Sequence, residues 1–248
     1  CRLCNSRALE LVLRLAQTPI EDEYVPAERL DIPQETYPLD LHLCSSCGLA
    51  QLVDVLDARI IYPDYLYHTS ISLGLADHFE AYSDSVLRRV GPPDGSLVVD
   101  IGSNDGTLLG HFRKRGMRVL GIDPAIAIAT EATERGIETL PEYFTSDLAK
   151  QIRRDRGPAS IVTANNVFAN VDDLAELTAG IRELMAADGV FVVETGYVLD
   201  LVENMVFDNI FHEHLSYFSA TPLESFLSRH GMEVIDIERV PTKGGSLR

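Results

Sequence analysis

The sequence is poor in positive charge: its 248 residues hold 21 Lys and Arg against 38 Asp and Glu, a formal net charge of -17. Phosphate backbones are bound by clustered cations, so a nucleic-acid partner is excluded. The surplus acid reads as a solvated surface that keeps the protein soluble. The sequence also lacks any apolar run near the ~18 to 20 residues that cross a bilayer, and no signal-peptide pattern precedes Cys1. No membrane partner is expected, and a cytoplasmic location follows. A third absence is cysteine after residue 47, since all four fall in the first fifth of the chain. A fourth is the G-x-G-x-x-G of dinucleotide-binding folds.

What cysteine there is comes in two pairs, Cys1-x-x-Cys4 and Cys44-x-x-Cys47. Each pair can chelate one edge of a tetrahedron, which points to a four-thiolate structural zinc site with ligands Cys1, Cys4, Cys44 and Cys47. Two disulfides or a redox site are the alternatives. Asn5 and Gly48 follow the second cysteine of each pair, and both residue types tolerate the left-handed turn that aims backbone amides at sulfur. Leu39, Leu41 and Leu43 alternate into Cys44, with Leu49 and Leu52 beyond, so the second knuckle joins two strands of a small ribbon.

The stretch that organises the rest is Leu97-Val-Val-Asp100-Ile-Gly102-Ser103-Asn104-Asp105-Gly106. An apolar strand runs into a turn of Gly, Ser, Asn and Asp, after which Thr107, Leu108, Leu109 and Phe112 resume at helical spacing. In open α/β sheets ligands sit beyond such strand ends. A pyrophosphate needs bare helix N-terminal amides, whereas Asp100 and Asp105 suit a cationic or hydroxyl-rich ligand. The pattern V-D-I-G-S-N-D-G-T resembles the first motif of class I S-adenosylmethionine-dependent methyltransferases. Asp123, closing the next strand R-V-L-G-I-D, stands where that fold hydrogen-bonds the two ribose hydroxyls. An NAD fold also carries an acid there, so glycine spacing separates the two. The resemblance implies S-adenosylmethionine as cofactor, held by Asp100, Gly102, Ser103, Asn104, Asp105, Gly106, Asp123 and Asn165. The implied fold is a Rossmann-like, doubly wound α/β sheet preceded by a zinc-ribbon-like domain.

Around this centre β and α alternate. Residues 53 to 90 read as a connector with a tyrosine cluster at Tyr62, Tyr65 and Tyr67. Leu73, Leu75, His78, Phe79, Tyr82 and Val86 then mark an amphipathic helix. Pro141 to Phe144 form a loop able to cover an adenine. Ser160 to Thr163 and Gly189 to Glu194 are strands, and Met232 to Val240 reads as a further one. The expected domains are 1–62 (zinc-binding), 63–90 (helical connector) and 91–248 (methyltransferase).

Asn209-Ile-Phe211-His212-Glu213-His214-Leu-Ser-Tyr-Phe-Ser219 places two histidines around a glutamate within an aromatic bracket. From the residues alone this is a base and an acid against a dry wall, a loop whose histidines cap the next helix, or a second metal site. Together with the cysteine pairs, V-D-I-G-S-N-D-G-T and A-N-N-V-F-A, it resembles the nucleotide-sugar C-methyltransferases of antibiotic deoxysugar pathways, which methylate C-3 of a 4-keto sugar. The resemblance implies a nucleotide-sugar substrate, His214 as general base, Glu213 fixing the imidazole or the sugar, and Tyr65 bonding the keto oxygen. In that family a second α/β lobe follows the sheet, so that lobe is expected to be absent or cut off here. Phe211 and Asn170 stand where the family commonly has Tyr and His. The alternatives are therefore a methyltransferase acting on another small molecule and a donor-binding protein without turnover.

Overall fold

A computed structural model describes residues 1–21, 25–61 and 68–248, with the side chains of residues 58 and 59 left aside. In chain order the elements are β1 (Leu9–Leu13), β2 (Leu41–Cys44), β3 (Ala50–Leu52), α1 (Ala58–Ile61), α2 (Leu75–Val90), β4 (Leu97–Ile101), α3 (Thr107–Lys114), β5 (Arg118–Ile122), α4 (Ile126–Glu134) and β6 (Thr139–Leu140). There follow α5 (Ser146–Arg156), β7 (Ala159–Asn165), α6 (Leu174–Leu184), β8 (Met185–Gly196), α7 (Val198–Glu203), β9 (Ser216–Tyr217), α8 (Ala220–Arg229), β10 (Arg239–Val240) and β11 (Ser246–Leu247). No helix among the described residues is long and apolar enough to cross a membrane.

The chain divides into two compact units that do not follow sequence order. One gathers Cys1–Leu66, Ala169–Leu174 and Thr195–Leu247; the other holds Tyr67–Phe168, Ala175–Glu194 and Arg248. The second unit is built on five parallel strands in the order β8-β7-β4-β5-β6. Val98 and Val99 of β4 and Ile161 and Val162 of β7 are fully buried. Continuous apolar runs of this kind form the centre of a parallel sheet covered on both faces. Chain direction across the sheet reverses between β4 and β7, which makes the carboxyl ends of those strands the topological switch point.

Helix α2 buries Leu75, Phe79, Tyr82 and Val86 at helical spacing among Val98, Leu108, Leu109 and Phe112. It begins two residues later than the apolar pattern suggests: Gly74 takes a left-handed φ of 78° and leaves Leu73 wholly exposed. The strand read from Met232 to Val240 contracts to Arg239–Val240. Ile235 and Ile237 alternate with acids as a strand would, but both are exposed, so the alternation has no face to bury.

In the first unit β1, β2, β3 and β9 form an antiparallel sheet. Leu41 and Leu52 pair across β2 and β3 and pack with Leu39, Ile210 and Tyr217. The two strands expected on either side of the second knuckle are present as β2 and β3, extended by β9.

Gly121 of β5 is a constraint missed in the sequence. A Cβ there would lie 2.6 Å from Thr139 Oγ1 and closer still to Ser103 Oγ. Overpacking of this kind costs roughly 1 to 3 kcal/mol, so Gly121→Ala is expected to lower stability by about that much in chemical denaturation. An unchanged midpoint would show that Ser103 and Thr139 move aside freely.

Candidate active site

The turn after β4 requires three left-handed residues in close succession: Gly102 (φ 70°), Asn104 (φ 51°) and Gly106 (φ 75°). Glycine and asparagine are the residues that enter this region at low cost. Gly102 and Ser103 donate their amides to the Ile122 carbonyl. The Asn104 amide then donates to Asp123 Oδ2 at 2.8 Å, while the Ala125 amide donates to Oδ1 at 2.9 Å. Asp123 is buried, which pushes its carboxyl up against the lowering effect of those two amides.

The structure places the loop acids differently from one another. Asn104 Oδ1 accepts the Thr69 amide at 2.8 Å, and Asp105 Oδ2 accepts the Ser70 amide at 2.9 Å. Asp105 Oδ1 takes the Thr107 hydroxyl at 2.6 Å. Burial raises the Asp105 carboxyl, but the Ser70 and Thr107 hydrogen bonds outweigh it and hold it below the usual range. These two side chains therefore anchor the turn at Thr69–Ile71, a partner 35 residues upstream that no local pattern reveals. Asp100 is 4% exposed and accepts the Thr163 hydroxyl at 2.6 Å. Burial, with the Asp123 charge nearby, pushes it up to about 7 despite that hydrogen bond.

At the end of β7 the buried Asn165 carboxamide has Tyr82 as its neighbour, and Ser103 Oγ is buried without a hydrogen-bond partner. A buried polar group left unpaired costs free energy, and its place at the switch point fits a polar ligand that completes it. Asn165, Asp123 and the backbone of Gly102 to Gly106 are the residues that would hold S-adenosylmethionine. The same unit pairs the half-buried His78 with the buried Glu194: His78 Nε2 lies 2.8 and 3.0 Å from the two carboxylate oxygens, with Arg248 3.9 Å away. Sequence reading noted both residues without pairing them; the signal was a lone acid closing an apolar strand.

In the first unit the four cysteine sulfurs lie within 4.8 Å of one another, with Cys1–Cys47 and Cys4–Cys44 at 3.6 Å. Zn–S bonds of about 2.3 Å in a tetrahedron place sulfurs roughly 3.8 Å apart, whereas a disulfide needs about 2.05 Å. All four cysteines are free, so the donor set fits zinc. Asn5 (φ 58°) and Gly48 (φ 84°) adopt the expected left-handed turns. Burial raises the Cys44 thiol, but amides of Cys47 and Ser46 bring it down to about 7. Burial pushes Cys47 up to about 11.

The same unit holds the F-H-E-H loop. His214 Nδ1 donates to the Asn209 carbonyl at 3.0 Å, which assigns the proton to Nδ1 and leaves Nε2 with its lone pair. Phe211 lies against the His214 ring, centroids 3.9 Å apart. Burial, together with the Lys243 charge, lowers His214 to about 4, in spite of the Asn209 bond. The imidazole thus sits below the usual histidine value near 6.5. Glu213 Oε2 accepts from Asn170 Nδ2 at 3.4 Å. His212 is buried, its Nε2 3.3 Å from the Tyr37 carbonyl and its ring edge-on to Tyr37. Tyr65 lies outside the described residues, as do Tyr62 and Tyr67.

The switch point, the left-handed turn and the acid after β5 define a class I S-adenosylmethionine-dependent methyltransferase fold. Residues 75–237 match the family described as "Methyltransferase domain", and the chain belongs to that family. Residues 1–62 match the family described as "Putative zinc binding domain". The C-methyltransferase NovU of Streptomyces niveus is 36% identical over 247 residues, covering 100% of this chain. The chain spans 59% of that relative's length. Among solved structures, magnesium protoporphyrin IX methyltransferase (ChlM) from Synechocystis PCC 6803 with bound SAH is similar with TM-score 0.52 and 16% identity, over 77% of this chain and 91% of its own. A SAM-dependent methyltransferase from Archaeoglobus fulgidus gives TM-score 0.53 and 20% identity, over 64% and 72%. At these identities the structures show a shared fold.

Two outcomes follow. Asp100 holds its proton more tightly folded (about 7) than unfolded (3.8), so its contribution is full below 3.8 and lost as pH rises through 7. Asp100→Asn is therefore expected to raise the melting temperature of ligand-free protein more at about pH 8 than at about pH 5, read by thermal scans. Freshly purified protein is expected to hold about one zinc per chain by metal analysis, and chelation to unfold the ribbon. Less than about half an equivalent would count against the site.

Proposed function

We propose that this protein transfers a methyl group from S-adenosylmethionine to the carbon beside the keto group of a nucleotide-linked 4-keto deoxysugar. The observation that carries the reading is His214, an uncharged imidazole whose Nε2 is free to accept a proton, in a chain 36% identical to a C-methyltransferase. The keto group acidifies the adjacent C–H. His214 Nε2 takes that proton, and the bond's electron pair remains on carbon as an enolate. Glu213, steadied by Asn170, holds the imidazole or a sugar hydroxyl. When bound, S-adenosylmethionine supplies an electrophilic methyl to that carbon and leaves as a neutral thioether. Phe211 keeps water from the imidazole face, so proton transfer occurs in a dry setting. Tyr65 is assigned the keto oxygen, where a phenol donor would stabilise developing charge.

Phe211 and Asn170 favour a second reading in which the acceptor is another keto compound. A phenyl ring cannot hydrogen-bond, and Asn170 is engaged with Glu213. A phenol and an imidazole able to hold a sugar or stabilise the enolate would then be lacking.

With a TDP-4-keto-deoxysugar as acceptor, His214→Ala is expected to abolish methyl transfer while S-adenosylmethionine affinity in calorimetry stays within about threefold. The wild-type rate should hold from neutral pH down toward the depressed imidazole value, its acid limb lying near 4 instead of 6.5. Undiminished turnover in the variant removes His214 from the mechanism. Donor binding with no turnover on any 4-keto nucleotide sugar favours a binding protein.

A further inference from the structure

Arg2 stands in sequence between Cys1 and Cys4 of the first cysteine pair, and its side chain is 8% exposed. Nη1 is 2.5 Å from the Leu52 carbonyl, 3.1 Å from the Leu215 carbonyl and 3.2 Å from Gln51 Oε1. Nε donates to Asp172 Oδ1 at 2.8 Å. The Arg2 backbone amide donates to the same Gln51 oxygen at 3.2 Å. One guanidinium thus ties together three separate stretches of the first unit: β3, the 169–174 segment and the end of the F-H-E-H loop.

The acceptors matter because of what stands next to them. Leu215 follows His214 directly, and its carbonyl also accepts the Leu52 amide at 3.0 Å. Ser216 and Tyr217 then pair with Gln51 and Ala50 of β3, which begins three residues after Cys47. Asp172 stands two residues beyond Asn170, the partner of Glu213. We propose that Arg2 is a positioning residue: it carries the rigidity of the cysteine knuckles into the loop bearing His214 and Glu213. The metal centre then orders the proton-handling groups as well as folding its own segment. Arginine suits the task because its planar fork can serve several acceptors at once, which a point-charge ammonium cannot. The functional part of this inference rests on the reading of His214 as base; the tether itself does not.

The test compares full-length wild type with Arg2→Met, which keeps an apolar stem, and Arg2→Lys, which keeps the charge. Five quantities are read: zinc content, S-adenosylhomocysteine affinity, amide deuterium uptake by peptide and, with a TDP-4-keto-deoxysugar as acceptor, kcat and the KM for S-adenosylmethionine. Arg2→Met is expected to keep its zinc and its affinity, while uptake across residues 209–219 rises about tenfold and that across residues 97–125 is unchanged. kcat should fall about tenfold at unaltered KM for S-adenosylmethionine, with Arg2→Lys recovering part of the loss. Unchanged uptake across residues 209–219 overturns the proposal. So does loss of zinc with faster uptake throughout residues 1–62, because Arg2 would then serve only the knuckle. Should His214→Ala remain active, the base assignment falls alone, and the uptake measurement still decides whether Arg2 holds the loop.

Discussion

The parallel-sheet unit depends on one constraint: between β4 and α3 the backbone must turn left-handed at Gly102, Asn104 and Gly106 in a stretch buried from Ser103 to Gly106. Buried amides need acceptors, and the turn finds them in the Ile122 carbonyl and the Asp123 carboxylate. Asp123 is thereby oriented by two amides before any ligand arrives. Preorganisation of this sort reduces the ordering cost of binding. The same turn draws in the chain upstream, because Asn104 and Asp105 use their side chains on the amides of Thr69 and Ser70.

The other unit is held by a different device. Four thiols gathered around one point replace what a short, partly exposed ribbon cannot supply in apolar burial, as small metal-bound domains do. Its sheet is then extended by β9, a two-residue strand drawn from near the far end of the chain. Sequence-distant contacts of that kind explain why the compact units cut across chain order. The end of the F-H-E-H loop is thus stitched to the cysteine framework through backbone hydrogen bonds and the Arg2 guanidinium.

Local chemistry was the legible part of the sequence. The C-x-x-C pairs with Asn5 and Gly48, the strand-turn-helix at Leu97 to Phe112, the acid closing β5 and the buried face of α2 all state their physical reasons within a few residues. Long-range satisfaction was not legible. Nothing near Asn104 says that it will receive an amide from Thr69, and nothing near Arg2 points to the carbonyl of Leu215. The environment of His214 was equally hidden, because burial, the Asn209 carbonyl and the Lys243 charge set its basicity and only folding brings them together. The Met232 to Val240 reading failed for a related reason: alternation marks a strand only where a neighbouring surface receives one side of it.

The Asp100 carboxyl, poised near neutrality in a buried setting, has a calorimetric consequence. A cation settling beside it draws the group into its ionised form and expels a proton to the solvent. The heat of such an association then includes the ionisation enthalpy of whatever buffer collects that proton. Titrations run in phosphate and in Tris at one pH would differ in apparent enthalpy by an amount proportional to the protons released.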